Sequence, residues 1–358
     1  MTAPLNLFDA IAKKVTPPVC VVLGSPRTAA ELAARIAQPD TVCYQMDLHQ
    51  AQRLTEQLAA LGVSAQVRVL PDLWDLPQRF QTVLYPAPRR GERELKLDMV
   101  EQAQSILDLG GQLIVLSEHV PDSLFGPLLK KIFGKVVAVP HGADGTTFLA
   151  VKRAERPRRR HEVIVQGRFE PIGSLRFVTR PGVFTYAQID NGARALLELV
   201  QLQAGMRILD VGCGFGINGI VAGLRAGGAT QVSFVDSNVR AVQLTELNAR
   251  QCGLPDFEVI ASQHVAGLRH APYDAVLTNP PYFAQGEITR LFIERGAALL
   301  HPDGSFYLVT KQPISTEPFM VEHFRRFEVL LHRGYHVFVA GQAAASLRSV
   351  QDSGDYWP

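Results

Sequence analysis

Short apolar runs alternate with longer segments of helical periodicity along most of this 358-residue chain. The apolar runs, each of which predicts a buried strand, are 19–24, 42–46, 208–211, 231–235, 275–277 and 305–309. The helical segments between them include 29–37, 50–61 and 288–300. Two further runs, 327–331 and 335–339, predict an antiparallel pair that turns at Arg333 and Gly334. Alternating strands and helices are typical of α/β proteins with parallel sheets, so we expect that fold class.

Residues 80–116 and 273–309 share one pattern when they are aligned without a gap. Both contain an apolar run, a proline turn, a helix-like segment, a glycine and a second apolar run. Identical residues coincide at Pro88 and Pro281, Glu94 and Glu287, Glu101 and Glu294, and Gly111 and Gly304. The match predicts an internal duplication with two copies of one fold in tandem. The alternative is that any two Rossmann units look alike at this level.

The duplication divides the chain into a first copy, a basic linker and a second copy, at 1–155, 156–166 and 167–358. The first copy differs from the second where a ligand would bind. Its first strand leads into Gly24 and a Ser-Pro pair instead of a glycine-rich loop, and Pro86 stands at the position of Asn279. Asp47 is the one acid that survives at a strand end. We therefore expect a degenerate N-terminal domain that supports folding or grips a substrate.

The apolar run at 275–277 is followed by Asn279-Pro280-Pro281-Tyr282. The prolines end the strand, because they cannot donate to a ladder and they restrict the residues before them. The stretch offers a side-chain amide, backbone carbonyls and an aromatic face. That combination suits a planar group with an amino nitrogen, because an amide oxygen and a backbone carbonyl can accept hydrogen bonds from its two N–H groups. The alternative is a plain proline-rich turn.

A second motif follows the apolar run at 208–211, where Asp210 leads three alternating glycines, Gly212, Gly214 and Gly216. Glycines at this spacing let the backbone turn tightly and approach a ligand without a Cβ in the way. Such a loop is a weak signal alone, because dinucleotide enzymes also use one. The next strand ends in Asp236, whose carboxylate can accept hydrogen bonds from both hydroxyl groups of a ribose.

The order of these motifs resembles that of Rossmann-type S-adenosylmethionine-dependent methyltransferases. A further stretch, Pro181-Gly182-Val183-Phe184 and then Asp190 before a Leu-rich segment, sharpens the resemblance. It is similar to the bacterial ribosomal RNA guanine-N2 methyltransferases, the 16S enzymes and their 23S sisters. The resemblance implies a degenerate N-terminal copy and a catalytic C-terminal domain with a seven-stranded mixed sheet. It also implies that S-adenosylmethionine is the cofactor.

The resemblance assigns roles to individual residues as well. Val183, Phe184, Asp190 and Asn279 would lie near the cofactor, beside Asp210, the three glycines and Asp236. Ser262 would replace the Asp with which many methyltransferases bind the adenine amino group. Phe283, a further candidate for substrate binding, stands where family members often have His, so the side chain at that position is apolar.

The family also implies a mechanism. The Asn279 side-chain oxygen and the Pro280 carbonyl would accept hydrogen bonds from guanine N2 and aim it at the methyl group, while Tyr282 stacks on the base. The same motif serves enzymes that methylate glutamine in release factors or adenine N6, so it does not choose among these substrates. A 23S target and a non-catalytic RNA-binding assembly factor also stay open.

A basic run at 152–161 contains six Lys or Arg residues and a single Glu. It is either a solvated linker or a set of phosphate contacts for RNA. The second reading makes Arg153, Arg158, Arg159 and Arg160 candidates for substrate binding. The net charge of the chain is only +2, so any RNA binding must come from such a local patch.

The remaining composition narrows the class of protein. No apolar run approaches membrane-spanning length, and the start of the sequence shows no signal-peptide pattern. The four cysteines form no pair at metal spacing, so neither a metal site nor a disulfide framework is indicated. This composition favours a cytoplasmic enzyme that needs no metal, and we expect it to be a monomer. The resemblance implies that its substrate is ribosomal RNA within the 30S subunit.

Overall fold

A computed structural model of the chain describes residues 3–281 and 286–344. The chain divides into two compact units, Met1–His161 and Glu162–Pro358. In the part of the chain that the structure describes, none of the helices has the length and apolarity needed to cross a membrane.

The N-terminal unit is built on a seven-stranded sheet in the order β3-β2-β1-β4-β5-β7-β6. The first five of these strands run parallel, and β7 pairs antiparallel with both β5 and β6. Its helices and strands are α1 Ala3–Asp9, β1 Val19–Val22, α2 Pro26–Ile36, β2 Val42–Gln45, α3 Leu48–Ala60, β3 Gln66–Val69, β4 Phe80–Ala87, α4 Arg93–Ile106, β5 Leu107–Ser117, α5 Phe125–Phe133, β6 Val137–Pro140 and β7 Thr146–Val151.

The C-terminal unit opens with a two-stranded hairpin, β8 and β9, and then forms a second seven-stranded sheet in the order β12-β11-β10-β13-β14-β16-β15. The elements are β8 Val163–Phe169, β9 Gly173–Thr179, α6 Asn191–Leu199, β10 Arg207–Val211, α7 Ile217–Ala226, β11 Gln231–Asp236, α8 Val239–Gln251, β12 Phe257–Ala261, β13 Tyr273–Thr278, α9 Glu287–Leu299, β14 Leu300–Thr310, α10 Pro313–His323, β15 Phe327–His332 and β16 Tyr335–Gly341. The predicted seven-stranded mixed sheet is confirmed.

The two large sheets repeat each other strand by strand, which confirms the predicted duplication. In the gapless alignment, β5 and β14 coincide from end to end. Even an irregularity recurs, because the pairing register shifts between Phe80 and Thr82 in one sheet and between Tyr273 and Ala275 in the other. A shared bulge at a matching position is more specific than a shared fold class.

The register also explains why the first copy is degenerate. Val21 pairs with Leu84 as Asp210 pairs with Leu277, so an apolar side chain occupies the position of the acid. The segment between β1 and α2 has three residues, whereas five separate β10 from α7. The first copy therefore lacks both the leading acid and the length of the glycine loop.

Pro86 takes up the remaining space at this end of the first sheet. A Cβ added to Gly24 would lie 2.8 Å from the Cγ atom of Pro86, so the ring packs directly on the loop. Asp47 is the N-cap of α3, because its Oδ1 accepts a hydrogen bond from the N–H of Gln50 at 2.9 Å.

Apolar strands form the core of each unit. All residues of β1 and β2 are buried, as are Ile208 to Val211 of β10. The predicted closing pair is present, and Arg333 and Gly334 both have positive φ, at 50° and 76°, as a tight two-residue hairpin turn requires.

Two predicted boundaries differ from the structure. Leu300 begins β14 instead of ending a helix, because the bulge lets the strand start well before its pairing with β13 becomes regular. The predicted linker at 156–166 overlaps β8, where Val165 is buried on the hairpin's inner face while its neighbours are exposed.

Candidate active site

Three strand ends of the C-terminal sheet bring the candidate residues together. Strand β10 lies between β11 and β13 and runs parallel to both, with Val211 opposite Val235 on one side and Thr278 on the other. The glycine loop after Val211 therefore lies between Asp236 and Asn279. Ligands of open parallel sheets bind at this carboxyl edge.

The glycine loop has a backbone conformation that residues with a side chain disfavour. Gly212, Gly214 and Gly216 have φ of +71°, +59° and +89°, in the left-handed region that side chains disfavour. A Cβ at Gly214 would also lie 2.6 Å from the carbonyl oxygen of Phe184. The loop is tied to its neighbour strand, because the N–H of Gly212 donates to the Val235 carbonyl at 2.8 Å.

Asp236 links this loop to the start of α8. Its Oδ2 accepts the N–H of Gly214 at 2.9 Å, and its Oδ1 accepts the N–H of Asn238 at 2.9 Å. Both bonds hold the carboxylate at the end of β11 in one orientation.

Asp210 lies beneath the loop and is fully buried. Its Oδ2 accepts the N–H of Gly219 at 2.8 Å, which ties β10 to the first turn of α7. Burial raises the pKa of Asp210 to about 7, and the Gly219 hydrogen bond opposes that rise. Its carboxyl group thus supports the loop from behind.

Asn279 is held by a second acid. The amide Nδ2 of Asn279 donates to Oδ2 of Asp190 at 2.8 Å. The same oxygen accepts the N–H of Ala193 at 3.2 Å and caps α6, while Oδ1 of Asp190 is 3.4 Å from the Tyr335 hydroxyl. Pro280, directly after Asn279, is buried.

The segment from Pro181 to Phe184 packs over the glycine loop and is anchored by α8. The Nδ2 of Asn238 donates to the carbonyl of Gly182 at 2.8 Å, and the buried Arg240 donates from Nη1 to the carbonyl of Pro181 at 2.6 Å. The Phe184 residue is 42% exposed. Phe184, one of the expected cofactor contacts, thus lies with its carbonyl oxygen against the glycine loop, while the residue remains partly exposed to solvent.

Ser262 follows β12, the strand next to β11, and so reaches the same edge. Its N–H donates to the carbonyl of Asp236 at 2.9 Å, and its Oγ accepts the N–H of Ala266 at 3.0 Å. Two other predicted residues, Tyr282 and Phe283, lie outside the described residues.

Comparison with known proteins identifies the class of this site. Residues 174–339 match the family model described as the methyltransferase small domain. The uncharacterized protein YbxB of Bacillus subtilis is 31% identical over 38% of this chain, and the match spans 68% of that protein. The chain belongs to the methyltransferase small domain family. Family membership confirms the predicted resemblance to methyltransferases.

Two curated relatives carry the name ribosomal RNA small subunit methyltransferase C. The one from Chromohalobacter salexigens is 36% identical over 48% of this chain, and that from Pseudomonas aeruginosa UCBPP-PA14 is 34% identical over 42%. The matches cover 53% and 46% of those proteins, so the chain spans about half the length of the curated relatives it matches.

A solved structure resembles this small-domain methyltransferase over nearly its full length. It is a Thermus thermophilus 16S rRNA N2 G1207 methyltransferase in complex with AdoMet and guanosine. The TM-score is 0.73, and the match covers 94% of this chain and 92% of that chain at 23% sequence identity. At this identity the likeness establishes the two-domain fold.

The residues at the strand ends fit S-adenosylmethionine. Asp236 offers a fixed carboxylate for ribose hydroxyls, and a carboxylate has enough lone pairs to accept more than two hydrogen bonds. Gly212 and Gly214 put backbone without side chains beside it.

The predicted RNA-binding arginines belong to the N-terminal unit, and several have partners there. The Arg158 guanidinium lies 5.9 Å from the centre of the Trp74 ring, and Arg160 is 4.0 Å from Asp72. Arg153 and Arg159 are exposed. The basic run is therefore partly docked on its own unit instead of being wholly solvated.

The structure adds two residues that sequence reasoning missed. Asn238 joins Asp236 to Gly182, and Tyr335 reaches Asp190 from the closing hairpin. An Asn two residues after the strand-end acid was a usable signal. Nothing in the sequence pointed to Tyr335, because its hairpin position gives no sign of its neighbours.

Proposed function

We propose that this chain is an S-adenosylmethionine-dependent methyltransferase that modifies the exocyclic N2 of a guanine in ribosomal RNA, with 16S RNA as the target. The observation that carries the proposal is the meeting of Asn279 with the glycine loop and Asp236 at one sheet edge. An amide acceptor thus stands beside the residues that fit the cofactor. The names of the two curated relatives support ribosomal RNA as the substrate.

The site residues divide the work between cofactor and substrate. Gly212, Gly214 and Asp236 would hold the cofactor. Phe184, Ser262 and Asp190 are further candidates from the sequence. When bound, S-adenosylmethionine would supply an electrophilic methyl group on a sulfonium leaving group, and the N2 that accepts the methyl group would release one proton to water.

Asn279 and Pro280 act on the acceptor nitrogen. The lone pair of guanine N2 is delocalised into the ring, so the nitrogen is a poor nucleophile. The amide oxygen of Asn279 and the carbonyl oxygen of Pro280 would accept hydrogen bonds from the two N–H groups of N2. These bonds would fix the orientation of N2 and stabilise the positive charge that develops on it. A guanine must leave its stack to enter this edge, and Tyr282 would then stack on the base.

The N-terminal unit would serve substrate binding alone. Its shortened loop and the apolar Val21 at the position of Asp210 argue against a second cofactor site. Exposed Arg153 and Arg159 would contact RNA phosphates, joined by Arg158 and Arg160. The proposal includes the 30S subunit as substrate particle, a monomeric enzyme and a cytoplasmic location.

The test is methyl transfer from labelled S-adenosylmethionine to 30S subunits, 50S subunits and a release factor in parallel. Nucleoside analysis of the labelled RNA identifies the product. We expect N2-methylguanosine from 30S subunits. The same product from 50S alone would move the target to 23S RNA, and label on the release factor alone would refute guanine as the acceptor.

A further inference from the structure

One carboxylate oxygen of Asp190 accepts two hydrogen bonds, one from the backbone of a helix and one from a side chain of the candidate site. Its Oδ2 accepts from the backbone of Ala193, which caps α6, and from the side chain of Asn279, which lies after β13. The cap fixes the acid on a helix end, and the second bond reaches a residue far away in sequence. A rigid element thus holds the side chain expected to meet the acceptor base.

The bond to Asp190 decides which way the Asn279 amide faces. An amide has a donor end and an acceptor end of nearly the same shape, and only its oxygen can accept an N–H from a substrate amino group. An ionised carboxylate only accepts, so it must face the amide nitrogen. The contact of 2.8 Å between Nδ2 and Oδ2 therefore turns the oxygen of Asn279 away from Asp190.

The same contact changes the charge distribution of the amide. A hydrogen bond to an ionised acceptor is stronger than one between neutral groups, and linked hydrogen bonds polarise one another. Donation to Asp190 draws negative charge onto the oxygen of Asn279. Tyr335 extends the network, with its hydroxyl 3.4 Å from Asp190 and its ring 4.7 Å from the ammonium of Lys311.

We infer that Asp190 is a positioning residue, which orients and polarises the amide of Asn279 so that its oxygen meets the amino group of the acceptor. The inference rests on the proposed function, because it assumes an acceptor with an amino nitrogen. It differs from the family-based expectation for Asp190, which is contact with the cofactor.

Asp190→Ser separates the positioning role from the helix cap. A serine hydroxyl is as good an N-cap as an aspartate, but its oxygen lies one bond closer to the backbone and carries no charge. We expect the melting temperature and the cofactor affinity of this variant to stay near those of the wild type. Its kcat should fall about ten- to a hundredfold, the loss that follows removal of a charged hydrogen bond, with KM for RNA little changed.

Asp47→Ser is the matched control. Asp47 caps α3 in the N-terminal unit as Asp190 caps α6, through an N–H three residues further on. The control variant should keep full activity. A similar loss of activity in both variants would overturn the positioning role of Asp190, because cap replacement alone would then explain the effect.

An exchange of the two side chains tests the direct contact. Asn279→Asp alone sets two carboxylates against each other and should abolish activity. Adding Asp190→Asn restores a donor–acceptor pair with an oxygen at position 279 still able to accept. We expect the double variant to recover at least tenfold over Asn279→Asp; no recovery would overturn the inference.

A readout without substrate or cofactor separates this inference from the proposed function. The side-chain amide resonance of Asn279, assigned by its disappearance in Asn279→Asp, should be shifted downfield by the carboxylate and should move upfield in Asp190→Ser. An unmoved resonance would overturn the contact, and loss of cofactor affinity in Asp190→Ser would overturn the assigned role. Failure of the wild type to methylate guanine would instead refute the proposed function and leave the resonance unaffected.

Discussion

Gly214→Ala tests whether the shape of the glycine loop makes the cofactor site. Gly214 has φ of +59°, and a Cβ there would lie 2.6 Å from the backbone carbonyl oxygen of Phe184. A left-handed conformation costs a residue with a side chain roughly 1–2 kcal/mol. Relief of the contact requires the loop or the Phe184 segment to move, which adds about 1–3 kcal/mol, as overpacking does. We expect a total destabilisation of about 2–5 kcal/mol.

The cost to binding follows from the same displacement. The N–H of Gly214 donates to Asp236 at 2.9 Å, so a shifted loop also misplaces the carboxylate. Loss of one well-aligned hydrogen bond lowers affinity about tenfold, and we expect at least that for S-adenosylmethionine.

Gly253→Ala is the control for backbone strain alone. Gly253 also has positive φ, at +74°, in the same unit, but a Cβ there would meet nothing within 4 Å. This variant should lose only the roughly 1–2 kcal/mol of strain and bind the cofactor normally. Calorimetric unfolding and titration with S-adenosylmethionine measure both quantities. Equal stability and equal affinity of the two variants would refute the reasoning.

Three further predictions concern catalysis, pH and salt. Asn279→Ala should lower kcat for methyl transfer about 10²–10³-fold while leaving cofactor affinity nearly intact; joint loss of both would count against its role. Burial raises the pKa of Asp210 to about 7, above the roughly 3.9 of an unfolded chain. The folded state therefore keeps the Asp210 proton up to a higher pH than the unfolded state does. The stability contributed by the protonated carboxyl group is fully present below about pH 4 and is lost as pH rises through about 7. The melting temperature of the wild type should thus fall relative to Asp210→Asn from about pH 5 to about pH 8, and parallel profiles would contradict the assignment. Arg159→Glu should weaken binding to ribosomal RNA and reduce its salt slope by about one or more, whereas Arg68→Glu, an exposed control on the same unit, should do neither.

Much of the fold could be predicted because it depends on local pattern. Apolar runs mark strands that are buried on both faces, and the gapless match between the two halves predicted the repeated topology. The structure adds that β5 and β14 coincide from end to end. Boundaries were less accurate. The apolar periodicity predicts a helix through Leu300, which begins β14 instead, because apolar residues at a helix end look the same as those at a strand start.

By itself, the sequence determined the order of the motifs: a glycine loop after one strand, an acid after the next, and Asn279-Pro280 after a later strand. Parallel strands bring such ends to one edge, so chemistry could be predicted from spacing along the chain. Only the tertiary structure decided how the edge is supported: Asp210 beneath the loop, Asn238 holding Gly182, and Asp190 with Tyr335 behind Asn279. These contacts join residues far apart in sequence, and their geometry depends on packing that no local pattern encodes.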